Sequence, residues 1–190
     1  MSDLTDSDRS DLLALARTAI EAELIADKTP VFPKDPSPAL KQNRGCFVTL
    51  HKRGALRGCI GSIEPMTPLV EGVEANARHS AFHDPRFPTL KKAELPDIKI
   101  EISVLTPPRP LDYTDAENLK AQLIPEVHGV ILERGRQRST FLPQVWAQLP
   151  RKEDFLNNLC RKAGLAGDCW KDKGTLVKVY EAEYFSEPDG

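Results

Sequence analysis

The chain has 190 residues, which suits one domain, or one domain with a small subdomain, and excludes two full domains. Hydrophobic residues make up 40% and charged residues 28%, as in globular proteins, so extensive disorder is not expected. The net charge of −2 lacks the basic excess that supports phosphate binding. Nucleic acid is therefore not an expected partner.

The N-terminal segment and the cysteines indicate the compartment. Acidic residues stand where a signal peptide has bases, and no stretch approaches the roughly 18 apolar residues of a membrane span. The four cysteines, Cys46, Cys59, Cys160 and Cys169, show no C-x-x-C spacing and are too few for a disulfide-rich scaffold. We expect a cytoplasmic protein with reduced thiols and no membrane contact.

A helix and a β-hairpin are predicted first. Apolar residues recur with helical spacing from Leu12 to Leu24, after Thr5 and Asp6 as caps, and the proline-rich residues 30–38 form a loop. The next element is the hairpin, with strands at residues 45–51 and 56–63 and a turn at Arg53-Gly54. A period of two places Arg57 and Cys59 on the same face of its second strand.

The second predicted helix has Thr67 as its cap and Pro68 at its first position. It should end near His83, because Asp84 precedes a proline and the residue before proline disfavours helix. Residues 98–104 then alternate between isoleucine or valine and polar residues, which predicts a half-buried strand.

The remaining pattern mixes helices with a further hairpin. The predicted elements are a short helix at 116–122, strands at 127–133 and 137–142, a helix at 154–162 and a final strand at 176–185. No βαβ unit repeats along the chain, so we predict an α+β fold with a mainly antiparallel sheet and flanking helices.

Cys59 is the first candidate for chemistry. It stands between Gly58 and Gly61, whose missing side chains allow a substrate or another backbone to approach closely. A guanidinium on the same face, that of Arg57, would favour the nucleophilic thiolate. The alternative is a buried cysteine that packs as a small hydrophobic residue, with the glycines marking a β-bulge.

Two further groups have functional and structural interpretations. His79 and His83 are four residues apart, as two metal ligands on a helix would be, but no motif supplies a third ligand, so no metal is expected. Residues 84–87 form a proline-braced loop in which Asp84 and Arg86 either bind a ligand or pair with each other.

Six segments, taken in order, resemble one known family, the AMMECR family, whose prokaryotic members are called AmmeMemoRadiSam system protein A. The resemblance extends from about Leu12 to Phe185, and the matching segments are residues 45–50, 56–61, 84–87, 128–130, 142–145 and 162–165. It implies a single domain over 1–190, ordered from about 10 to 186, with a larger antiparallel-sheet subdomain and a smaller one. It also implies a Memo-type protein and a radical S-adenosylmethionine enzyme as partners, without a settled activity.

Two hypotheses for the function remain open. In the first, the chain is an enzyme without a cofactor that acts on an unidentified small molecule; Cys59 is the nucleophile and His128, or His83, the base. We expect Cys59 and His128 within about 10 Å of each other, and a concave site whose binding residues are Arg57, Gly58, Gly61, Asp84 and Arg86. In the second, the same surface is that of a non-catalytic accessory module for the two partners. Nucleic-acid binding through residues 134–138 is the least favoured.

Overall fold

The structure is a computed structural model that describes residues 4–188. The described chain forms two compact units: the first contains residues 4–105 and 183–188, and the second contains residues 106–182. Each unit combines helices with antiparallel strands, which confirms the predicted α+β fold with a larger and a smaller subdomain. Within residues 4–188, no helix is long and apolar enough to cross a membrane.

The first unit is built around a three-stranded antiparallel arrangement. Its central strand pairs with a strand on either side, and the helices share one hydrophobic core with the sheet. Its elements are α1 (Asp6–Leu24), α2 (Pro38–Lys41), β1 (Cys46–Lys52), β2 (Ala55–Ser62), α3 (Leu69–Phe82) and β3 (Ile98–Leu105).

Helix α1 begins as the sequence predicts. The Thr5 hydroxyl accepts the backbone N–H of Asp8 at 3.1 Å, and the Asp8 carboxylate accepts the Thr5 backbone N–H at 2.9 Å. This reciprocal cap satisfies two backbone donors that have no partner within the helix. The helix then buries Leu12, Leu15 and Ile20 completely, and each contributes about 1.5–3 kcal/mol relative to an exposed position.

The β1–β2 hairpin turns at Arg53 and Gly54, as predicted. Their φ values of 51° and 81° are the positive values that a tight two-residue hairpin turn requires. The pairing shifts before the turn: Leu50 lies opposite Gly58, whereas His51 lies opposite Leu56. Arg57 is therefore the extra residue of a β-bulge, and the expectation of a regular period of two through Arg57 and Cys59 is wrong.

Helix α3 differs by one residue from the prediction. Pro68 is the residue before the helix and makes no side-chain cap, and the first helical residue is Leu69. The helix ends at Phe82, with His83 as its C-terminal cap, because Asp84 must leave the helical region before Pro85. The strand predicted at 98–104 is confirmed as Ile98–Leu105.

The second unit has its own core and its own set of antiparallel strands. Strand β5 pairs with β6 and β7, and β4 pairs with β7. The Trp146 and Phe155 rings stack in the core with centroids 3.6 Å apart. The elements are β4 (Arg109–Pro110), α4 (Ala116–Gln122), β5 (His128–Arg134), β6 (Gln137–Phe141), α5 (Lys152–Lys162) and β7 (Leu176–Ser186), which ends in the first unit.

A disulfide in the second unit corrects the expectation of four reduced thiols. Cys160 in the last turn of α5 is bonded to Cys169, which begins a 3-10 turn at Cys169–Lys171. The chain reverses after Gly164, whose φ is 76°, and this brings the two Cα atoms to 5.9 Å, within the range a disulfide spans. Cys46 and Cys59 are free.

Candidate functional site

Cys59 lies in β2, at the edge of the sheet. It is half-buried, and the hydroxyl of Thr49, directly opposite on β1, donates a hydrogen bond to its sulfur at 3.3 Å. The other free cysteine, Cys46, is buried, and burial raises the pKa of its thiol to about 11. Cys59 is thus the accessible free thiol, as a reactive cysteine must be.

The backbone of Cys59 is held by an ion pair from the loop after α3. The Cys59 N–H donates to the Asp84 carboxylate at 2.9 Å, and the Arg86 guanidinium donates to the Cys59 carbonyl at 3.1 Å. Asp84 and Arg86 also bind each other, with Nη2 and Oδ2 2.7 Å apart. The Asp84–Arg86 ion pair therefore occupies the hydrogen-bonding positions that a further strand would use at Cys59.

The electrostatics of this ion pair keep both groups charged. The hydrogen bond from Arg86 holds the pKa of Asp84 well below its usual range, although burial opposes this, and the Cys59 N–H adds to the effect. The pKa of Arg86 is raised, chiefly by its hydrogen bond to Asp84, and its electrostatic interaction with Cys59 contributes. The Arg86 cation and the Asp84 carboxylate consequently both remain beside Cys59 over the range in which a thiol titrates, and they act on the thiol in opposite directions.

Arg57 has a different partner from the one predicted. Its guanidinium binds Glu94 through Nε and Nη2, both at 3.1 Å, and Lys52 binds the same carboxylate at 2.8 Å. These hydrogen bonds, that of Arg57 first, lower the pKa of Glu94 to about 2. Arg57 therefore anchors the bulge to Glu94. Because Arg57 is the extra residue of the bulge, strand periodicity no longer predicts that its guanidinium lies beside the Cys59 thiol. One donor of Arg57, Nη1, is buried without a hydrogen-bond partner.

The two glycines that flank Cys59 allow close packing within the protein. A Cβ at Gly58 would lie 2.1 Å from the carbonyl oxygen of Ser80 in α3, which is a close approach of another backbone. A Cβ at Gly61 would lie 2.3 Å from the ring of Phe47. The space beside both glycines is thus filled by this chain, and their role in binding a ligand stays a prediction.

His128 is the first residue of β5 in the second unit, and it is 2% exposed. Its Nδ1 accepts the backbone N–H of Ile124 at 3.2 Å, so this nitrogen already has a partner. Burial lowers the pKa of His128, and the nearby Arg109 contributes. Its ring is therefore held neutral in a structural position, and its pairing with Cys59 stays a prediction.

His79 and His83 lie close together, as their spacing predicts. Their rings meet edge to face with centroids 5.4 Å apart, and both residues are exposed at the end of α3. Asp84, the carboxylate that directly follows His83, is already bound by Arg86. Among residues 4–188, no three histidine, cysteine or carboxylate side chains converge as a metal site requires.

A polar sheet face surrounds the Cys59 thiol, and most of it was not expected from the sequence. In the register of β1 with its neighbours, Thr49 lies opposite both Cys59 and Glu101, and His51 lies opposite Lys99. These five residues, which we call the polar face, are each half-buried. The signal was present in β1, where Phe47, Thr49 and His51 alternate with the buried Cys46, Val48 and Leu50.

Comparison with known proteins identifies the family. The family profile AMMECR1 matches residues 13–185. The chain belongs to the AMMECR1 family. A protein from Methanothermobacter thermautotrophicus is 44% identical over 93% of this chain and 92% of its own length, and protein PH0010 from Pyrococcus horikoshii is 41% identical over 93% and 88%.

A solved AMMECR1-family structure confirms the fold. The crystal structure of the uncharacterized protein PH0010 covers 97% of this chain with a TM-score of 0.87 at 40% identity, and this chain covers 93% of it. The similarity spans the elements that carry the polar face and the Asp84–Arg86 ion pair. The resemblance of the six segments is therefore confirmed for family and fold, and a shared fold does not by itself assign an activity.

Proposed function

We propose that the first unit is a small-ligand site centred on Cys59 and that its thiol acts as a nucleophile. The observation that carries the proposal is the accessible thiol held on a polar strand by Thr49 and the Asp84–Arg86 ion pair. A free cysteine with a structural role alone is typically buried, as Cys46 is. Residues 56–61 and 84–87 form the core of this site.

The proposal includes a cytoplasmic location. A nucleophilic thiol persists where glutathione and thioredoxin keep cysteines reduced. The Cys160–Cys169 disulfide is compatible with such surroundings because both residues are fully buried, and thiol–disulfide exchange requires access to a sulfur.

The test is the rate at which each free thiol reacts with iodoacetamide at pH 7, measured by peptide mass spectrometry. We expect Cys59 to be labelled at least about tenfold faster than Cys46, since Cys46 is buried and protonated. Cys59→Ser is the control that identifies the fast signal. Labelling of Cys59 at or below the rate of Cys46 contradicts the proposal.

A second candidate is the accessory module for a Memo-type protein and a radical S-adenosylmethionine enzyme. Leu56 is 43% exposed and the Arg86 side chain 54%, so the site offers a partner an apolar and a cationic contact near Cys59. A pull-down of the two proteins with Leu56→Ala and Arg86→Ala variants tests this function, with the exposed Arg53→Ala as the control. Unchanged capture by the first two variants, or no capture by the wild type, contradicts it.

A further inference from the structure

The polar face contains a histidine that no sequence motif singled out. Strand β1 pairs with β3 without a shift from Cys46 to Lys52, so alternate residues of β1 point to opposite faces. Val48 and Leu50 are fully buried towards the core. Thr49 and His51 therefore share the other face.

A hydrogen bond assigns Cys59 to that same face. The Thr49 hydroxyl reaches the Cys59 sulfur at 3.3 Å, which requires both side chains to project from the same side of the sheet. His51 is the next residue of β1 on that side; its direct partner across the β-bulge is Leu56, and it is a diagonal neighbour of Cys59 because Thr49, two residues before it, lies opposite Cys59. Diagonal neighbours on adjacent strands are about 7–8 Å apart at Cα, a distance that aromatic and long side chains span.

The remaining histidines are placed less favourably for this role. His79 and His83 lie at the end of α3, and the same helix contacts β2 through Ser80 at Gly58, which shares the core-side register of Leu50. The Nδ1 atom of His128 already accepts a backbone N–H within the second unit. His51 is thus the histidine that the register of the first unit places beside Cys59.

Charged groups lie on either side of the two residues, and some favour while others oppose an ion pair between them. Glu101 lies opposite Thr49 on β3 and is a diagonal neighbour of His51, where a carboxylate stabilises an imidazolium. Arg86 contacts Cys59 from the other edge, where a cation stabilises a thiolate. Lys99 lies opposite His51 and opposes its protonation. Asp84, which accepts the Cys59 N–H at 2.9 Å, opposes the thiolate, so the assignment of His51 rests on its position in the register and not on these charges.

We infer that His51 is the proton acceptor for the Cys59 thiol, an assignment that rests on the proposed function and replaces His128 in the pairing. The proton leaves the sulfur for a ring nitrogen of His51, which gives a thiolate and an imidazolium without any further reactant. The thiolate then forms a carbon–sulfur bond with an electrophilic ligand, whose leaving group departs with the electron pair of the bond that breaks and takes the proton from the His51 imidazolium. The ligand class is accordingly an electrophile small enough to approach the sheet face at Cys59.

The test is the pH profile of iodoacetamide labelling at Cys59 between pH 5 and 9. We expect His51→Asn to shift the half-maximal rate to higher pH and to slow labelling about tenfold at pH 6.5. His51→Gln should act in the same way, and thermal unfolding verifies that both variants are folded. His79→Asn, an exposed histidine outside the polar face, is the matched control and should leave the profile unchanged.

The outcomes separate this inference from the proposed function. A fast wild-type profile that neither His51 variant changes overturns the role of His51 and leaves the Cys59 site standing. A shift produced by His128→Asn alone overturns it in favour of the original pairing. Slow labelling of Cys59 in the wild type overturns the proposed function and this inference together.

Discussion

The two units use cysteine and histidine in opposite ways. In the first unit, Cys59 is a free and accessible thiol, and His51 lies with it on a polar sheet face. In the second, Cys160 and Cys169 are bonded and fully buried, and His128 is buried with its Nδ1 occupied. The same residue types thus form the proposed reactive site in one unit and stabilise the fold of the other.

The comparison teaches that residue type and spacing alone do not assign a role. The two free thiols of the first unit already differ, because the Cys46 sulfur is buried against Asn76 of α3, whereas the Cys59 sulfur accepts a hydrogen bond from Thr49 on the polar face. Surroundings that are fixed by register, burial and charge decide which cysteine is reactive. Three substitutions and the reduction of one disulfide test this difference between the units, beginning with the largest expected effect.

Gly58→Val should be the most destabilising of them. Its Cβ would meet the Ser80 carbonyl oxygen at 2.1 Å, and a backbone atom of α3 cannot move aside without displacing the helix. We expect a loss on the order of 3 kcal/mol in the free energy of unfolding, measured with urea. Gly174→Val is the control, because nothing lies within 4 Å of its Cβ position. If Gly58→Val and Gly174→Val lose the same unfolding free energy, the close approach of Gly58 to the Ser80 carbonyl is not supported.

Reduction of the Cys160–Cys169 disulfide should have the next largest effect. The bond closes a loop with a sequence separation of 9, and loss of this constraint on the unfolded chain costs about 2.5 kcal/mol. Guanidinium unfolding of oxidised and fully reduced protein measures the difference. The Cys160→Ala/Cys169→Ala double variant should not respond to reductant. If reductant leaves the stability of the wild type unchanged as well, the disulfide does not stabilise the second unit and the difference between the units is not supported.

Asp84→Asn should cost about 2 kcal/mol, since charge-assisted hydrogen bonds to Cys59 and Arg86 are lost. The pKa of Asp84 is lowered in the folded state, so the stabilisation is complete above the unfolded value near 3.8 and is lost as the pH falls below it. The variant and wild type should therefore converge in strong acid. Asp97→Asn is the control, because Asp97 pairs with the exposed Arg53 and should cost less than about 0.5 kcal/mol.

His128→Leu should cost about 1 kcal/mol, because the N–H of Ile124 loses its acceptor. The pKa of His128 is lowered by burial, so protonation of the unfolded state destabilises the wild type as the pH falls below about 6.5. The leucine variant does not lose stability in this way, so the difference in unfolding free energy between wild type and variant should be smaller at pH 5.5 than at pH 8. The half-buried His51→Leu is the matched control with a smaller loss at pH 8. A larger loss of stability for His51→Leu than for His128→Leu at pH 8 would show that His51 has a structural role.

Local patterns predicted the elements of the fold well. The alternation of isoleucine and valine located β3, and the Arg53-Gly54 turn and residues 116–122 were found where the structure has them. Each of these signals is contained within a few consecutive residues. Burial of one face or a positive φ then fixes the structure.

The site was less predictable because its contacts are distant in sequence. Arg57 binds Glu94, which is 37 residues away, and an added residue at the bulge is not visible in the alternation of β2. The sequence singled out Asp84 and Arg86, but their hydrogen bonds to the Cys59 backbone depend on the path of the chain after α3 and could not be predicted. The disulfide likewise depended on the reversal at Gly164.

The Asp84–Arg86 ion pair also bears on self-association. An edge strand with free N–H and C=O groups is a template on which a strand of another molecule can pair, and repeated pairing leads to aggregation. At the middle of β2 both backbone groups of Cys59 are already bound by the loop. The charged loop lies where a second chain would dock, so the segment of β2 that carries Cys59 is closed to pairing with other β-strands.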